Sequence, residues 1–285
     1  HCRVPGWRHA SLVSGPQLDH PHRRTIGLMG TGPREWDAST YDRVAAPMTR
    51  MGRAVLDRLP LRGDEVVLDA GCGTGQVTAK LATRLPRGRV IALDASAAML
   101  DVARKTLAAF ENRVLFVQSD LSQALPTMPA LDAVLSTATF HWVAKHHGLF
   151  DRLADRMKPG AHLVAQWGGA GNVSRVTTAL AAVGHDFDGL AGWPGPWWFP
   201  TAEEVADQLV AAGFDVAECW LHPEPVELDS RADLEEYLAT PILVAHLARI
   251  APQEHQRLIT AVADRIPDRR IDYVRINVVA RRSVR

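Results

Sequence analysis

The sequence predicts an α/β fold in which a mostly parallel sheet is covered by helices on both faces. Short apolar runs, typical of strands buried on both faces, alternate with amphipathic helical stretches between residues 34 and 168. This alternation has the spacing of βαβ units, in which each helix carries the chain back to start the next parallel strand. The chain has 285 residues, of which 47% are hydrophobic, so it can bury the core of one large domain.

Hydrophobic spacing assigns the elements in order, beginning with a helix at residues 40–60 that ends at Pro60. Buried strands are predicted at residues 65–70, 89–96, 113–120, 131–140 and 161–168. Helices are predicted between them at residues 76–86, 97–110 and 149–160. The remaining elements are a helix at 201–214, a strand at 215–228, a mostly helical stretch at 231–265 and a last strand at 272–282.

Two parts of the chain depart from this pattern. Residues 1–28 are basic and rich in histidine, with scattered glycine and proline and no helical or strand period, so we expect a disordered or artificial leader. Residues 29–285 are expected to form a single domain. Insertions at about 169–200 and 229–268 interrupt the βαβ pattern and are expected to form a cap on this domain.

The composition of the chain argues against nucleic acid and membranes as binding partners. The formal net charge is zero, which gives no global attraction to nucleic acid or to an anionic membrane. The three cysteines are far apart and form neither a disulfide framework nor a zinc site, and no apolar run approaches the ~20 residues of a membrane span. We therefore expect a cytoplasmic monomer or homodimer that acts on a small molecule, not on nucleic acid or a membrane.

A glycine-rich stretch, "VVLDAGCGTGQ" (Val66–Gln76), follows the first predicted strand and places Gly71, Gly73 and Gly75 at alternate positions. In an open parallel sheet, the first strand-to-helix turn usually contacts the ligand. The spacing departs from the dinucleotide motif G-x-G-x-x-G, whose third glycine is replaced by Gln76, and it lacks the lysine of a phosphate-binding P-loop. Close strand–helix packing and the binding of another ligand remain as interpretations.

Acidic residues end the first three predicted strands. Asp94, about 20 residues beyond the glycines, can accept hydrogen bonds from both hydroxyls of a ribose. Asp120 can take an adenine amino group while Leu121 packs on the ring, although Asp120 could instead cap a helix. Asp69 is expected near a ligand ammonium group. A nucleoside that carries an amino acid in place of phosphates matches this pattern, which indicates S-adenosylmethionine.

Five motifs in order, "VLDAGCGTG", "ALDAS…ML", "QSDL", "LDAVLSTATFHWV" and "MKPGAHLVAQW", resemble those of class I S-adenosylmethionine-dependent methyltransferases. This resemblance implies a Rossmann-like, seven-stranded, mostly parallel sheet with an antiparallel last strand, helices on both faces, a helical and aromatic cap, and no metal. The cofactor-binding residues that it implies are Tyr41, Asp69, Gly71, Gly73, Gln76, Asp94, Ala95, Met99, Asp120 and Leu121.

Within that superfamily the chain is similar to the trans-aconitate methyltransferase branch, because "FHWV" (Phe140–Val143) follows the fourth strand and a long insertion precedes the last one. Members of this branch esterify carboxylates. The sequence departs from the pattern at Thr137, where an asparagine is common. It also adds an aromatic cluster between Trp193 and Phe199, which is not typical of a site for a small tricarboxylate.

His141, at the carboxyl end of a predicted strand, is the candidate catalytic residue, and a structural role is the alternative. Aromatic residues predicted to line the substrate pocket are Trp36, Trp142, Trp193, Trp197 and Trp198. For the last three, a hydrophobic plug or an oligomer contact is the alternative. Trp36 and Tyr41 either close over the cofactor or pack in the core.

Methyl transfer from a sulfonium needs alignment and a dry site more than catalytic machinery. A carboxylate acceptor is ionised at neutral pH and needs only a clamp, for which Arg175, Arg275 or the indoles are candidates. A hydroxyl or carbon acceptor needs a base, which His141 could supply. We expect O-methylation of a carboxylic acid. The alternatives are a C- or N-methyltransferase for a larger apolar metabolite and a non-catalytic cofactor-binding protein.

Overall fold

A computed structural model describes residues 46–284, and the structural statements below concern these residues. A seven-stranded sheet forms the centre, with the strand order β3-β2-β1-β4-β5-β9-β6. Its strands are β1 (Val66–Ala70), β2 (Arg89–Asp94), β3 (Val114–Gln118), β4 (Leu131–Thr137), β5 (Met157–Gly168), β6 (Phe214–Pro223) and β9 (Val274–Arg282). Strands β1 to β5 pair in parallel, whereas β9 runs antiparallel to both β5 and β6. This arrangement confirms the predicted Rossmann-like sheet.

Nine α-helices accompany the sheet in the described part of the chain. They are α1 (Ala46–Asp57), α2 (Gln76–Arg84), α3 (Ala97–Thr106), α4 (Leu149–Ala154), α5 (Ser174–Val183), α6 (Ala202–Ala211), α7 (Arg231–Tyr237), α8 (Val244–Leu247) and α9 (His255–Ala263). Local sequence fixes several helix starts: Ser96 caps α3 by accepting the Met99 N–H, and Thr201 forms a capping box with Glu204 at α6.

The two faces of the sheet bury separate hydrophobic clusters. Helices α1, α2 and α3 contribute to one cluster, which contains Val55 of α1, Leu81 of α2 and Val67 of β1. Helices α4 and α6 contribute to the other, which contains Leu209 of α6 and Leu68 of β1. Both faces are covered because the strands are apolar on both sides.

A third hydrophobic cluster joins residues from the two insertions, including Val176 of α5 and Val262 of α9. Strand β5 ends at Gly168, where the first insertion begins, and β9 starts at Val274, just after the second. Because β5 and β9 are antiparallel neighbours, these two points lie at the same edge of the sheet. Two short strands, β7 (Val226–Glu227) and β8 (Arg270–Ile271), pair beside this cluster.

Several elements differ from the sequence prediction. The helix predicted at 149–160 ends at Ala154, because Met157 already pairs with Leu131 of β4. The strand predicted at 131–140 ends at Thr137, where Ala138 takes a positive φ of 56° and turns the chain. Helix α5 lies in an insertion for which no helix was predicted. No helix of residues 46–284 is long and apolar enough to cross a membrane.

Candidate functional site

A cleft with a volume of about 150 Å³ opens at the carboxyl ends of the central strands. We call it the glycine-loop cleft, and its lining residues are Gly71, Gly73, Leu93, Asp94, Ala95, Met99, Ser119, Asp120, Leu121, Thr137, Ala138, Thr139, Trp142 and Val143. Ligands of open parallel sheets bind at this edge. Seven of the predicted cofactor-binding residues are thereby brought together.

Gly71 and Gly73 serve different purposes in the loop after β1. A Cβ at Gly71 would lie 2.1 Å from Thr139 Oγ1, and the residue has a φ of +87°, so only glycine fits against the β4 turn. A Cβ at Gly73 would meet nothing within 4 Å, although its φ is +53°. Gly71 is therefore required by packing, whereas the open side of Gly73 lets a ligand approach the backbone.

Asp94 joins the glycine loop to the end of β2. Its Oδ2 accepts the Gly73 N–H and its Oδ1 accepts the Ser96 N–H, both at 2.9 Å. The same side chain lines the cleft. Asp94 therefore holds the glycine loop in place and borders the space that a ligand would occupy.

Asp120 and Leu121 lie in the cleft after β3, as predicted for an adenine site. Asp120 Oδ1 accepts the Ser122 N–H at 2.7 Å and thereby closes a turn. Residues 119–130 contain no helix, so the alternative that Asp120 caps a helix is wrong. Leu121 is buried, which gives a ring in the cleft an apolar surface.

Asp69 and Gln76 lie outside the lining of the cleft, in contrast to the prediction. Asp69 is 1% exposed, so it cannot contact a ligand ammonium directly. Its Oδ2 accepts a hydrogen bond from Thr78 Oγ1 at 2.7 Å, whereas Oδ1 has no partner among the described residues. Burial, reinforced by the Asp94 charge and opposed by the Thr78 hydrogen bond, raises the pKa of Asp69 to about 7. Gln76 is the first residue of α2.

The raised pKa makes Asp69 a source of pH-dependent stability. The folded protein keeps this proton up to about pH 7, whereas the unfolded chain releases it near the ordinary pKa of 3.8. The contribution is therefore complete below pH 3.8 and is lost as the pH rises through 7. In Asp69→Asn, which stays neutral, we expect the free energy of unfolding to gain several kcal/mol over wild type between pH 5 and pH 8. Urea titrations at four pH values measure this, and a constant difference between the two proteins would contradict it.

A second, smaller pocket of about 40 Å³ adjoins the glycine-loop cleft. We call it the aromatic pocket, and it is lined by Met48, Ala138, His141, Trp142, Asn172, Val173, Trp197, Phe199, Pro241, Ile242, Tyr273 and Arg275. Ala138 and Trp142 line both spaces. A ligand in the aromatic pocket would therefore border a ligand in the cleft.

Arg275 brings a buried cation into the aromatic pocket. It is 2% exposed, and it lies on β9 opposite Gly168 of β5, so strand pairing fixes its place. The guanidinium carbon lies 4.9 Å from the ring centroid of Tyr273, and Nε has no hydrogen-bond partner within residues 46–284. No acidic side chain is among the described residues that line the pocket. A buried cation with this surrounding is suited to an anionic ligand.

His141 lies in a helical turn, Phe140–Trp142, that follows β4. The Gly168 N–H points to His141 Nδ1 at 3.4 Å, so Nδ1 is the acceptor and the neutral ring carries its proton on Nε2. The ring is 8% exposed and packs 5.0 Å from Trp142. This arrangement suits a hydrogen-bond donor better than a general base.

Of the predicted substrate-pocket residues, the structure places Trp142 and Trp197 in the aromatic pocket. Trp193 and Trp198 do not line it. The Trp193 ring packs 5.0 Å from His246, and the Trp198 ring lies 5.9 Å from Lys145 Nζ, while the backbone N–H of Trp198 donates to the carbonyl of His141 at 2.9 Å. Trp36 and Tyr41 lie outside the described residues.

The sequence analysis did not predict several residues that line the aromatic pocket. It also included Arg175 among the side chains that could bind an acceptor carboxylate, and the structure excludes this residue from the pocket. Arg175 is exposed and pairs with Asp268, so it is not a clamp. Ala138 was missed, although a positive φ in a non-glycine residue often marks a functional site. Asn172 and Tyr273 were also missed, because they come from an insertion and from the edge of the last strand.

Comparison with known proteins finds a matching domain model and similar sequences. Residues 67–160 match the model of a methyltransferase domain. A trans-aconitate 2-methyltransferase from Acidovorax ebreus is 39% identical over 46% of this chain, and the match spans 49% of that relative, about half its length. One from Azoarcus sp. is 29% identical over 79% of this chain and 87% of its own.

Solved structures share the fold at lower identity. The [4+2]-cyclase SpnF has a TM-score of 0.58 and 20% identity, with 91% of this chain and 90% of its own chain covered. Haemonchus contortus phosphoethanolamine N-methyltransferase 2, bound to S-adenosylhomocysteine, has a TM-score of 0.58 and 18% identity, covering 87% and 57%. One of these folds carries a cyclase, so the fold alone does not decide the reaction.

The chain carries a methyltransferase domain at residues 67–160, and its sheet and glycine-loop cleft are similar to those of class I S-adenosylmethionine-dependent methyltransferases. Its sequence is similar to the trans-aconitate 2-methyltransferases. The cofactor of these enzymes, S-adenosylmethionine, fits the cleft: Gly73 leaves room at the backbone, and Asp94 lines the same space. Among residues 46–284 no group of three histidine, cysteine or acidic side chains could hold a metal ion.

Proposed function

We propose that this protein transfers the methyl group of S-adenosylmethionine to a carboxylate oxygen of a small organic acid. The observation that carries the proposal is Arg275, a buried guanidinium with no acidic neighbour in the described lining of the aromatic pocket. A guanidinium binds a carboxylate through two parallel hydrogen bonds, which also fixes the orientation of the acid. The curated relatives named trans-aconitate 2-methyltransferase favour the same class of acceptor.

The residues of the glycine-loop cleft would hold the cofactor. Asp94 would accept the ribose hydroxyls, Asp120 the adenine amino group, and Leu121 would pack on the adenine ring. When bound, S-adenosylmethionine supplies an activated methyl group on a positively charged sulfur. Ala138 and Trp142 border both spaces, so the acceptor meets the cofactor at these two residues.

The residues of the aromatic pocket would align the acceptor and exclude water. A carboxylate with a pKa of ~4 is already ionised at neutral pH, so no residue has to remove a proton. Arg275 would hold one edge of the carboxylate, and His141 is a second polar side chain that lines the same pocket. The aromatic side chains keep the reacting groups dry, which favours transfer to the acid over transfer to water.

A carboxylate acceptor predicts a nearly flat pH dependence of the methyl-transfer step between pH 6 and pH 9. His141→Gln should keep this flat profile and lose only about 3- to 30-fold in rate, the value of one positioning hydrogen bond. Single-turnover rates across this pH range, for wild type and variant, measure the effect. His147→Gln, an exposed histidine six residues away, is the matched control and should behave as wild type.

A hydroxyl or carbon acceptor would give a different result. The rate would then depend strongly on pH, and this dependence would vanish in His141→Gln with a loss of 10²–10⁴-fold. That outcome would replace the carboxylate by an acceptor that has to be deprotonated.

A further inference from the structure

One wall of the aromatic pocket is flat and apolar. The rings of Trp197 and Phe199 are stacked, with centroids 5.7 Å apart and planes 20° apart. Trp142 lies 6.1 Å from Trp197 and extends the aromatic surface toward the glycine-loop cleft. Such walls favour a planar, apolar ligand, which stacks on the rings and releases water from them.

The polar groups of the pocket are few and already partly used. Among its described lining residues, Arg275 is the one side chain with a permanent charge. Asn172 Oδ1 accepts the Val274 N–H at 3.0 Å, which fixes that amide as part of the wall. One carboxylate can therefore be paired in the pocket. A second carboxylate on the same ligand would be buried against aromatic rings without a cation, which is strongly unfavourable.

The size of the pocket adds a further restriction. Its volume of about 40 Å³ corresponds to roughly three water molecules at the ~10–15 Å³ that one water requires. A branched acid with several charged arms fits this space poorly. A single carboxylate group, with three heavy atoms, fits beside Arg275, and the flat body of the acid would lie against the aromatic wall and extend toward the adjoining glycine-loop cleft.

Building on the function proposed above, we propose that the acceptor is a compact monocarboxylic acid with a flat apolar body, not a di- or tricarboxylate. Specificity then comes from two groups that act together. Arg275 selects the carboxylate, and the stack of Trp197 and Phe199 selects an uncharged planar body. We therefore expect trans-aconitate, the tricarboxylate for which the curated relatives are named, to be a poor substrate of this protein.

The test compares benzoate with terephthalate, which adds one carboxylate across the ring, and with trans-aconitate. Each acid is titrated calorimetrically into the full chain saturated with S-adenosylhomocysteine, and ester formation from S-adenosylmethionine is measured in parallel. We expect benzoate to be favoured over both other acids by at least 100-fold in affinity and in kcat/KM. A preference for trans-aconitate or terephthalate, with ester formed, would overturn this inference and leave the proposed function standing. No ester and no binding with any acid would overturn both.

Two tryptophan variants test whether the stacked rings of Trp197 and Phe199 contact the acceptor. Trp197 and Trp193 lie 5.1 Å and 5.0 Å from the same ring, His246, but only Trp197 lines the aromatic pocket. Trp197→Leu should weaken benzoate binding at least tenfold, and Trp193→Leu should leave it unchanged. If both variants lost benzoate affinity equally and had equal melting temperatures, a direct role of Trp197 in binding the acceptor would be contradicted. The comparison of acids on the wild-type protein does not depend on either variant.

Discussion

Replacing Asp94 with alanine is expected to weaken S-adenosylmethionine binding by at least 100-fold. The variant loses two hydrogen bonds from ribose hydroxyls to a charged acceptor, each worth about 1.5–3 kcal/mol. It also loses the carboxylate oxygens that hold the Gly73 and Ser96 N–H groups, so the glycine loop is less well ordered before binding. Calorimetric titration of the cofactor measures the effect.

Two further variants make this result specific. Asp94→Asn keeps an oxygen for one backbone N–H but cannot accept at both positions, so its loss should be intermediate. Asp101→Ala, on α3, removes an exposed acid that pairs with Arg104, and it should bind the cofactor as wild type does. Wild-type affinity in Asp94→Ala would show that the cofactor does not bind in the glycine-loop cleft as described.

Arg275→Met is expected to lower the kcat/KM for the acid by 10²–10⁴-fold without weakening cofactor binding. Removing one partner of a buried charge pair costs about 2–5 kcal/mol, because the ligand carboxylate would be buried without a cation. The melting temperature of Arg275→Met, in contrast to its kcat/KM, should not fall. Without ligand, Arg275 is a buried cation without an acidic partner among the described residues, so an apolar side chain of similar length should keep or raise the melting temperature.

Arg175→Met is the matched control for this experiment. Arg175 is exposed and paired with Asp268, so its loss should change neither turnover nor melting temperature by much. A fall in melting temperature in Arg275→Met with unchanged kcat/KM would assign Arg275 to the structure of β9 and remove it from the acceptor site.

Local signals in the sequence were sufficient to predict the sheet and most of the glycine-loop cleft. The run that ends in Asp94 is apolar and buried from Val90 to Leu93, as predicted. The run before Asp120 was also predicted as a buried strand, but it forms the edge strand β3, in which only Val114 is buried. Because the carboxyl ends of parallel strands meet at one edge, the prediction that these acids and the glycine loop share a site required only the order of the strands.

The aromatic pocket depended on packing between distant parts of the chain. Arg175 and Arg275 were equivalent candidates in the sequence, and the pairing of β9 with β5 buries one while the other stays on the surface. In the same way, the sequence of residues 193–199 predicted an aromatic cluster but not which of its rings would line the pocket. Trp193 and Trp197 both pack against His246, yet the fold places only Trp197 of these two in the lining of the pocket.

The most direct test of methyl transfer to a carboxylate is the stability of the product in base. The protein is incubated with S-adenosylmethionine labelled in the methyl group and with a panel of organic acids, and the labelled product is then treated with alkali. A methyl ester releases all of its label as methanol, and this is the result that the buried guanidinium of Arg275 predicts. Label that resists alkali, as in a methylated carbon or nitrogen, would contradict it.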